Sequence, residues 1–230
     1  MAEDFTEKID AALAEWAVVD ELPAEIEGFV LSKERLASEG QYDFFRYEQA
    51  AEHRSVVGFY DAATTSYKLR VAVGVVCFAL PSFVCGDLAA FGKELQRSLP
   101  NVMAELHADA LQTQELLPVR KSIETWAYGA QLPGELEGFA LFVRPSAPAQ
   151  LTNGSFLIID YVDFARGNDV GIYYNCYRNE FFGEYHVNNM PYVSYSFDAA
   201  DLEELEQRLN LHLAGYLRMV REQSEREMNG

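Results

Sequence analysis

The sequence predicts an α+β fold made of two tandem units, each with the element order α-β-β-β-β-β-α. Three observations support this: a long motif that occurs twice, two series of short strand-like segments, and an amphipathic helical segment on either side of each series. The predicted units are residues 1–112 and 113–230. We expect antiparallel sheets with helices packed on one face, and a pseudo-twofold arrangement of the two units.

The repeated motif is W-A-x4-L-P-x-E-[IL]-E-G-F-x-L, which begins at Trp16 and again at Trp126, the only two tryptophans of the chain. Two shorter matches follow. Val57-Gly-Phe-Tyr aligns with Val170-Gly-Ile-Tyr at an offset of 113, and Ser82-Phe aligns with Ser196-Phe at an offset of 114. The offset thus grows from 110 to 114, which predicts inserted residues in the second copy, within 145–153.

Each unit is predicted to open with a helix that ends before Leu-Pro and to close with a second helix. Apolar residues recur at helical spacing in the opening segments: Ile9, Ala12, Leu13 and Trp16, then Val119, Ile123 and Trp126. The closing helix of the second unit carries a long leucine stripe from Leu202 to Val220, with Asp198 and Asp201 at its start. In the first unit, Pro100 is expected to break or restart the closing helix.

The strand-like segments are rich in Val, Ile, Phe and Tyr and are separated by turn residues, which is typical of an antiparallel meander. Five are predicted in the first unit: 28–34, 42–49, 56–61, 67–72 and 75–80. Their counterparts in the second unit are 138–144, 156–163, 170–175, 181–187 and 192–197. The connecting segment 105–114 has helical character, which predicts a rigid link between the units.

The chain has 36 acidic and 18 basic residues, giving a formal net charge of −18. Such a charge repels phosphate backbones and anionic lipids, so we expect no nucleic-acid or membrane partner, whereas a basic protein is a suitable partner. The longest apolar run, 71–81, is too short to span a bilayer. An acidic N-terminal segment and three cysteines without a C-x-x-C pair predict a cytoplasmic protein with unpaired buried thiols. We also expect the protein to be a monomer or a homodimer.

The sequence contains no recognisable catalytic, cofactor-binding or metal-binding motif, so we predict no catalytic residue, no cofactor and no metal. A nucleophilic couple of Cys176 with His186 is one alternative, because such partners can be distant in sequence. The repeated Glu-x-Glu-Gly could present a carboxylate pair to a cation, or could form the turn that leads into the first strand. The tryptophans could line a ligand pocket or fill the core of each unit.

The two copies differ most in a segment of the second that is rich in Tyr and Asn, residue types common in binding surfaces. The predicted binding residues in this segment are Tyr174, Asn175, Tyr177, Arg178, Tyr185 and His186. The sequence therefore favours a non-enzymatic binding protein of the immunity-inhibitor or chaperone type. The alternatives are a small-ligand receptor or enzyme with its site in a cleft between the repeats, and a structural or assembly module.

Overall fold

The computed structural model describes residues 3–38, 40–106, 118–151 and 155–228. The chain divides into two compact units, Met1–His107 and Ala108–Gly230. The predicted boundary at 112/113, and most of the connecting segment predicted to be helical, lie outside the described residues. No helix in the described ranges is long and apolar enough to cross a bilayer.

In its described residues the first unit contains three α-helices and seven strands. The helices are α1 (Glu3–Ala14), α2 (Val18–Glu21) and α3 (Leu88–Leu106). The strands are β1 (Glu25–Ile26), β2 (Phe29–Ser32), β3 (Leu36–Ser38), β4 (Gln41–Gln49), β5 (Arg54–Asp61), β6 (Ser66–Val73) and β7 (Val76–Ala79). All pair antiparallel in the order β1-β2-β4-β5-β6-β7, and β3 pairs with β4.

The second unit has the same strand arrangement. Its helices are α4 (Pro118–Glu124) and α5 (Leu202–Met228). Its strands are β8 (Glu135–Leu136), β9 (Phe139–Val143), β10 (Ala149–Gln150), β11 (Ser155–Asp163), β12 (Asn168–Asn175), β13 (Glu180–Val187) and β14 (Met190–Ala199). The order β8-β9-β11-β12-β13-β14, with β10 on β11, matches that of the first sheet. The chain is therefore α+β, and the two similar sheets suggest a tandem duplication.

Several predicted elements need correction. Each sheet has seven strands, not five, because the two- and three-residue strands β1, β3, β8 and β10 are too short to produce a periodic pattern. Pro100 lies inside the continuous helix α3. Leu99 and Met103 are both buried, so packing on either side of the proline maintains the helix despite the missing N–H. Asp198 belongs to β14, not to a helix start.

Strand register shows which residues of the two units correspond. The hairpin β5–β6 ends at the pair Asp61–Ser66 and β12–β13 ends at Asn175–Glu180, so the offset through these strands is 114. The predicted alignment of the Val-Gly segments at 113 is therefore wrong by one residue, and such a slip exchanges the two faces of a strand. Gly58 packs against the Phe45 ring, whereas Gly171 lies beneath Tyr173. The inserted residues do fall between β9 and β11, as predicted.

The repeated Glu-Gly forms the two-residue turn between the first two strands of each unit. Glu27 and Gly28 have φ of 49° and 78°, and Glu137 and Gly138 have φ of 55° and 88°. Positive φ at both positions is the geometry of a type I′ hairpin turn. Glu137 also pairs with Arg218 of α5 at 2.6 Å. These contacts support the structural interpretation of the motif.

The core of the second unit lies between one face of its sheet and α5. Leu205, Leu209 and Leu217 pack there against strand residues such as Ile159 and Phe197. In the first unit the corresponding core is aromatic. Phe44 makes edge contacts with Trp16 and Phe91, at ring distances of 6.0 and 5.9 Å. Trp126 likewise packs against the second core, so both tryptophans contribute to packing.

An equivalent hydrogen bond joins the opening segment of each unit to its sheet. Removing either bond should therefore lower the stability by a similar amount. The buried hydroxyl of Tyr47 donates to the carbonyl of Pro23 at 2.6 Å, and that of Tyr161 donates to Pro133 at 2.7 Å. Burial raises the pKa of both phenols to about 12. We expect Tyr47→Phe and Tyr161→Phe each to lower the free energy of unfolding by about 1 kcal/mol, measured by urea denaturation. A much larger loss in one unit than in the other would contradict the equivalence.

Candidate functional site

The predicted binding residues lie along the β12–β13 hairpin, and four of them cluster at its turn. The Asn175 side chain accepts the backbone N–H groups of Tyr177 and Arg178 at 3.0 and 3.1 Å, which orders the turn. Tyr174 is buried and donates to Asn179. Tyr177 is 84% exposed, and Arg178 forms an ion pair with Glu180 at 2.8 Å. The turn thus presents one free aromatic ring and one paired cation to solvent.

The other two predicted residues lie elsewhere. Tyr185 and His186 are at the far end of β13, about 20 Å from the turn at a strand rise of about 3.4 Å per residue. They also point to opposite faces of the sheet. Tyr185 stacks on Tyr192 beside α5, and His186 is buried on the other face. The six residues therefore do not form one surface.

A groove of about 570 Å³ adjoins the turn, and its walls come from β13, β14 and the start of α5. It exists because β14 separates from β13. Gly183 pairs with Ser194, but Phe181 pairs with Ala199, so residues 195–198 bulge outward. The walls include Phe182 and Tyr195 and the carboxylates of Glu180, Asp198 and Glu204. Asn175 and Arg178 of this groove were predicted from the sequence, whereas the residues of the bulge were not.

The strand that borders the groove is also the most exposed apolar part of the sheet. Five of the eleven exposed large apolar side chains in the described ranges lie on β14 or on the adjoining turn: Tyr177, Met190, Tyr192, Val193 and Tyr195. Scattered exposed apolar residues are normal, whereas a concentration on one strand marks an interaction surface. Of these, Val193 and Tyr195 line the groove, whereas Tyr192 lies on the opposite sheet face, beside α5. The candidate site is therefore the groove, the turn and the part of β14 from Val193 onward.

A second cluster, the buried acid cluster, lies on the sheet face opposite α5 and comprises Asp160, Asp169, Tyr173, Glu184 and His186. Asp160 and Asp169 are fully buried. Asp169 accepts the backbone N–H of His186 at 2.8 Å and its ring Nδ1–H at 2.7 Å. Gly171 makes room for the Tyr173 ring, because a Cβ there would lie 3.1 Å from the Tyr173 hydroxyl.

The electrostatics of this cluster favour bound protons. Burial raises the pKa of Asp160 well above its usual range, and the neighbouring Asp169 raises it further. Burial alone would lower the pKa of His186, but the hydrogen bond and charge of Asp169 outweigh it and raise that pKa. Burial also raises the pKa of Glu184. A proton on Asp160 allows this carboxyl to donate to Asp169, so the two acids can lie together in the interior.

The first unit does not repeat the buried acid cluster. At the offset of 114, Asp160 corresponds to Arg46, and Asp169 corresponds to Ser55. Glu184 corresponds to Arg70, which pairs with Asp43 at 2.8 Å and lies over the Phe59 ring. One feature of the sequence does indicate the cluster: Asp160 stands inside an apolar run, with Phe-Leu-Ile-Ile before it and Tyr-Val after it.

The catalytic alternatives gain no support from the geometry. Cys176 lies in the hairpin turn, whereas His186 lies at the opposite end of β13 and bonds to Asp169, so these two do not form a nucleophilic couple. In the described ranges, no three His, Cys, Asp or Glu residues are placed to hold a metal ion. The cysteines are free, but the prediction that they are buried is wrong: Cys77 is exposed, and Cys85 and Cys176 are partly exposed.

No protein-family model matches this chain, and no significant similarity was found to a curated protein or to a solved structure.

Proposed function

We propose that the chain is a duplicated, non-enzymatic binding protein whose second unit engages a basic protein partner, as an immunity-like inhibitor or an acidic chaperone does. The observation that carries this proposal is the groove beside the β12–β13 turn, which combines aromatic walls with carboxylates that local cations do not fully neutralise. A Lys or Arg side chain from the partner is the natural complement of such a groove.

The charges of the groove support this choice. Glu180, Asp198 and Glu204 contribute three carboxylates, and Arg178 contributes one cation, which is paired with Glu180. Glu204 is hydrogen-bonded to the backbone N–H of Ala200 and to Arg208. Asp198 has no ion pair within 4.0 Å in the described part of the chain. Burial, and then the charge of Glu180, raise its pKa. A cation entering the groove would relieve this repulsion and favour the ionised carboxylate.

The first unit provides an internal comparison, because it repeats the looped-out segment but not the side chains of the groove: Tyr67 bridges Cys85 as Phe181 pairs with Ala199. Val84 stands at the position of Asp198, and the β5–β6 turn consists of Ala62, Ala63, Thr64 and Thr65 in place of the segment that contains Tyr177 and Arg178. The shared positions are those that build the sheet and its turns. We therefore assign a structural role to the residues that are repeated in both units and a binding role to those that are not.

Charge reversal in the groove tests the proposed function. We expect Asp198→Lys to abolish capture of a basic partner from extracts of the native cell at low salt, because the new cation repels the partner's cation. Glu48→Lys is the matched control: it reverses an exposed carboxylate on β4 of the first unit and should leave capture unchanged. Capture that survives Asp198→Lys, or a captured partner that is acidic, would contradict the proposal.

A further inference from the structure

Strand β14 is the terminal strand of its sheet, and its outer side has no strand partner in the described ranges. Terminal strands present unpaired backbone N–H and C=O groups, which can pair with an extended segment of another chain. The straight part of β14, 190–194, is as long as the corresponding segment 76–80 of the first unit, so the two edges differ in their side chains and not in their length.

The orientation of the backbone identifies which groups are available. The His186 N–H points toward β12, because it donates to Asp169. His186 pairs with Pro191 across β13 and β14, and Glu184 pairs with Val193. Because the bonding direction alternates along a strand, Pro191 and Val193 direct their backbone polar groups away from β13. Pro191 has no N–H, so the free donor and acceptor are centred on Val193.

The side chains around Val193 fit a partner strand of mixed character. Val193 is 61% exposed and Tyr195 is 78% exposed, so an apolar residue of the partner can cover them. The bulge at residues 195–198 ends the straight part of the edge and leads directly into the groove that holds Asp198. A strand lying along 190–194 would therefore deliver its next long side chain to the groove.

We propose that β14 binds an extended segment of the basic partner by strand addition, with backbone pairing at Val193 and an Arg or Lys side chain entering the groove at Asp198. This inference rests on the proposed function and specifies how the same site recognises its partner. Pro191 on one side and the bulge on the other limit the pairing to a segment of a few residues, so specificity depends on the cation that follows the paired stretch.

The test uses the full chain and three short synthetic peptides: one of alternating Val and Thr with a single Arg, the same peptide N-methylated on alternate backbone amides, and the same peptide with Glu in place of Arg. Binding is measured by titration of isotope-labelled protein. We expect the Arg peptide to perturb the Val193 amide and its neighbours. Backbone methylation should weaken binding about tenfold or more, because the pairing donors are lost. Asp198→Asn should weaken binding of the Arg peptide but not of the Glu peptide.

The outcomes separate this inference from the proposed function. Equal binding of the methylated and parent peptides would overturn strand addition while leaving a cation-binding groove intact. Equal binding of the Arg and Glu peptides would overturn recognition of a basic partner at this site. If no peptide shifts the Val193 amide, pairing at β14 is wrong. Glu48→Gln, which removes one exposed carboxylate from the first unit, is the control variant for net charge.

Discussion

Asp160→Asn is expected to stabilise the second unit at neutral pH, whereas Asp169→Asn, at the adjacent carboxyl, is expected to destabilise it. An Asn amide at position 160 can donate to Asp169 as a protonated Asp160 would, without having to take up a proton. We expect a gain of about 2 kcal/mol at pH 7 to 8. Asp169→Asn instead replaces the charged acceptor of both N–H groups of His186 by a neutral amide oxygen, which weakens both bonds, at an expected loss of about 1–2 kcal/mol.

The pH dependence follows from the directions of the two pKa shifts. The folded-state pKa of Asp160 is raised, so its contribution to stability is present in acid and is lost as pH rises above the unfolded value of about 3.9. The His186 pKa is also raised, so its contribution is complete below about 6.5 and is lost as pH rises through the folded value. The second unit should therefore weaken from mild acid toward mild alkali.

Urea denaturation of the two variants at pH 4, 6 and 8 measures these effects. The stabilisation by Asp160→Asn should be near zero at pH 4 and should grow with pH. Asp163→Asn, at the end of the β11–β12 hairpin where the partly buried carboxylate pairs with Arg166, is the control and should show no such trend. The assignment of the proton to Asp160 is wrong if Asp160→Asn lowers the free energy of unfolding and Asp169→Asn raises it. The proton would then belong to Asp169.

Gly58→Ala is expected to destabilise the first unit by about 1–3 kcal/mol, because the added methyl has no space. A Cβ at this position would lie within 2.7 Å of three atoms of the Phe45 ring, and Phe45 is fully buried. The ring is held on its other sides by Phe44 and Tyr47, so it cannot move without displacing them.

Gly215→Ala is the matched substitution, and we expect it to increase the stability instead of lowering it. Gly215 lies within α5, and a Cβ there meets nothing within 4 Å. Alanine should therefore stabilise the helix by about 1 kcal/mol. Thermal denaturation of both variants measures the pair. A neutral Gly58→Ala would contradict the close packing of β4 against β5.

The sheets were largely predictable from the sequence because their long strands are rich in Val, Ile, Phe and Tyr and are bounded by turn residues. The strands β4, β5, β11, β12 and β13 lie within two residues of their predicted limits. The alignment of the second copy with the first was not predictable to one residue. Val-Gly occurs in both copies, but at positions that lie on opposite faces of the sheet. The bulge at 195–198 also gave no signal, because residues looped out of a strand keep strand-like composition.

The candidate site was predictable only in part. The turn around Tyr177 was identified because it is unrepeated and rich in Tyr and Asn. The groove was not, since Asp198 and Glu180 come together only through the separation of β14 from β13. Likewise, Asp160 and His186 belong to different strands, and their connection through Asp169 depends on the pairing of β11, β12 and β13. The spacing of residues along the sequence does not show which strands pair, so it does not show these contacts.

The central claim is that the partner binds those residues of the second unit that have no equivalent in the first. Hydrogen-exchange footprinting of the full chain with and without its captured partner tests this most directly, because the first unit serves as the internal reference. We predict protection at 177–182 and 190–200, and none at the equivalent 63–68 and 76–86 of the first unit. Equal protection of both units, or protection confined to the first, would contradict the claim.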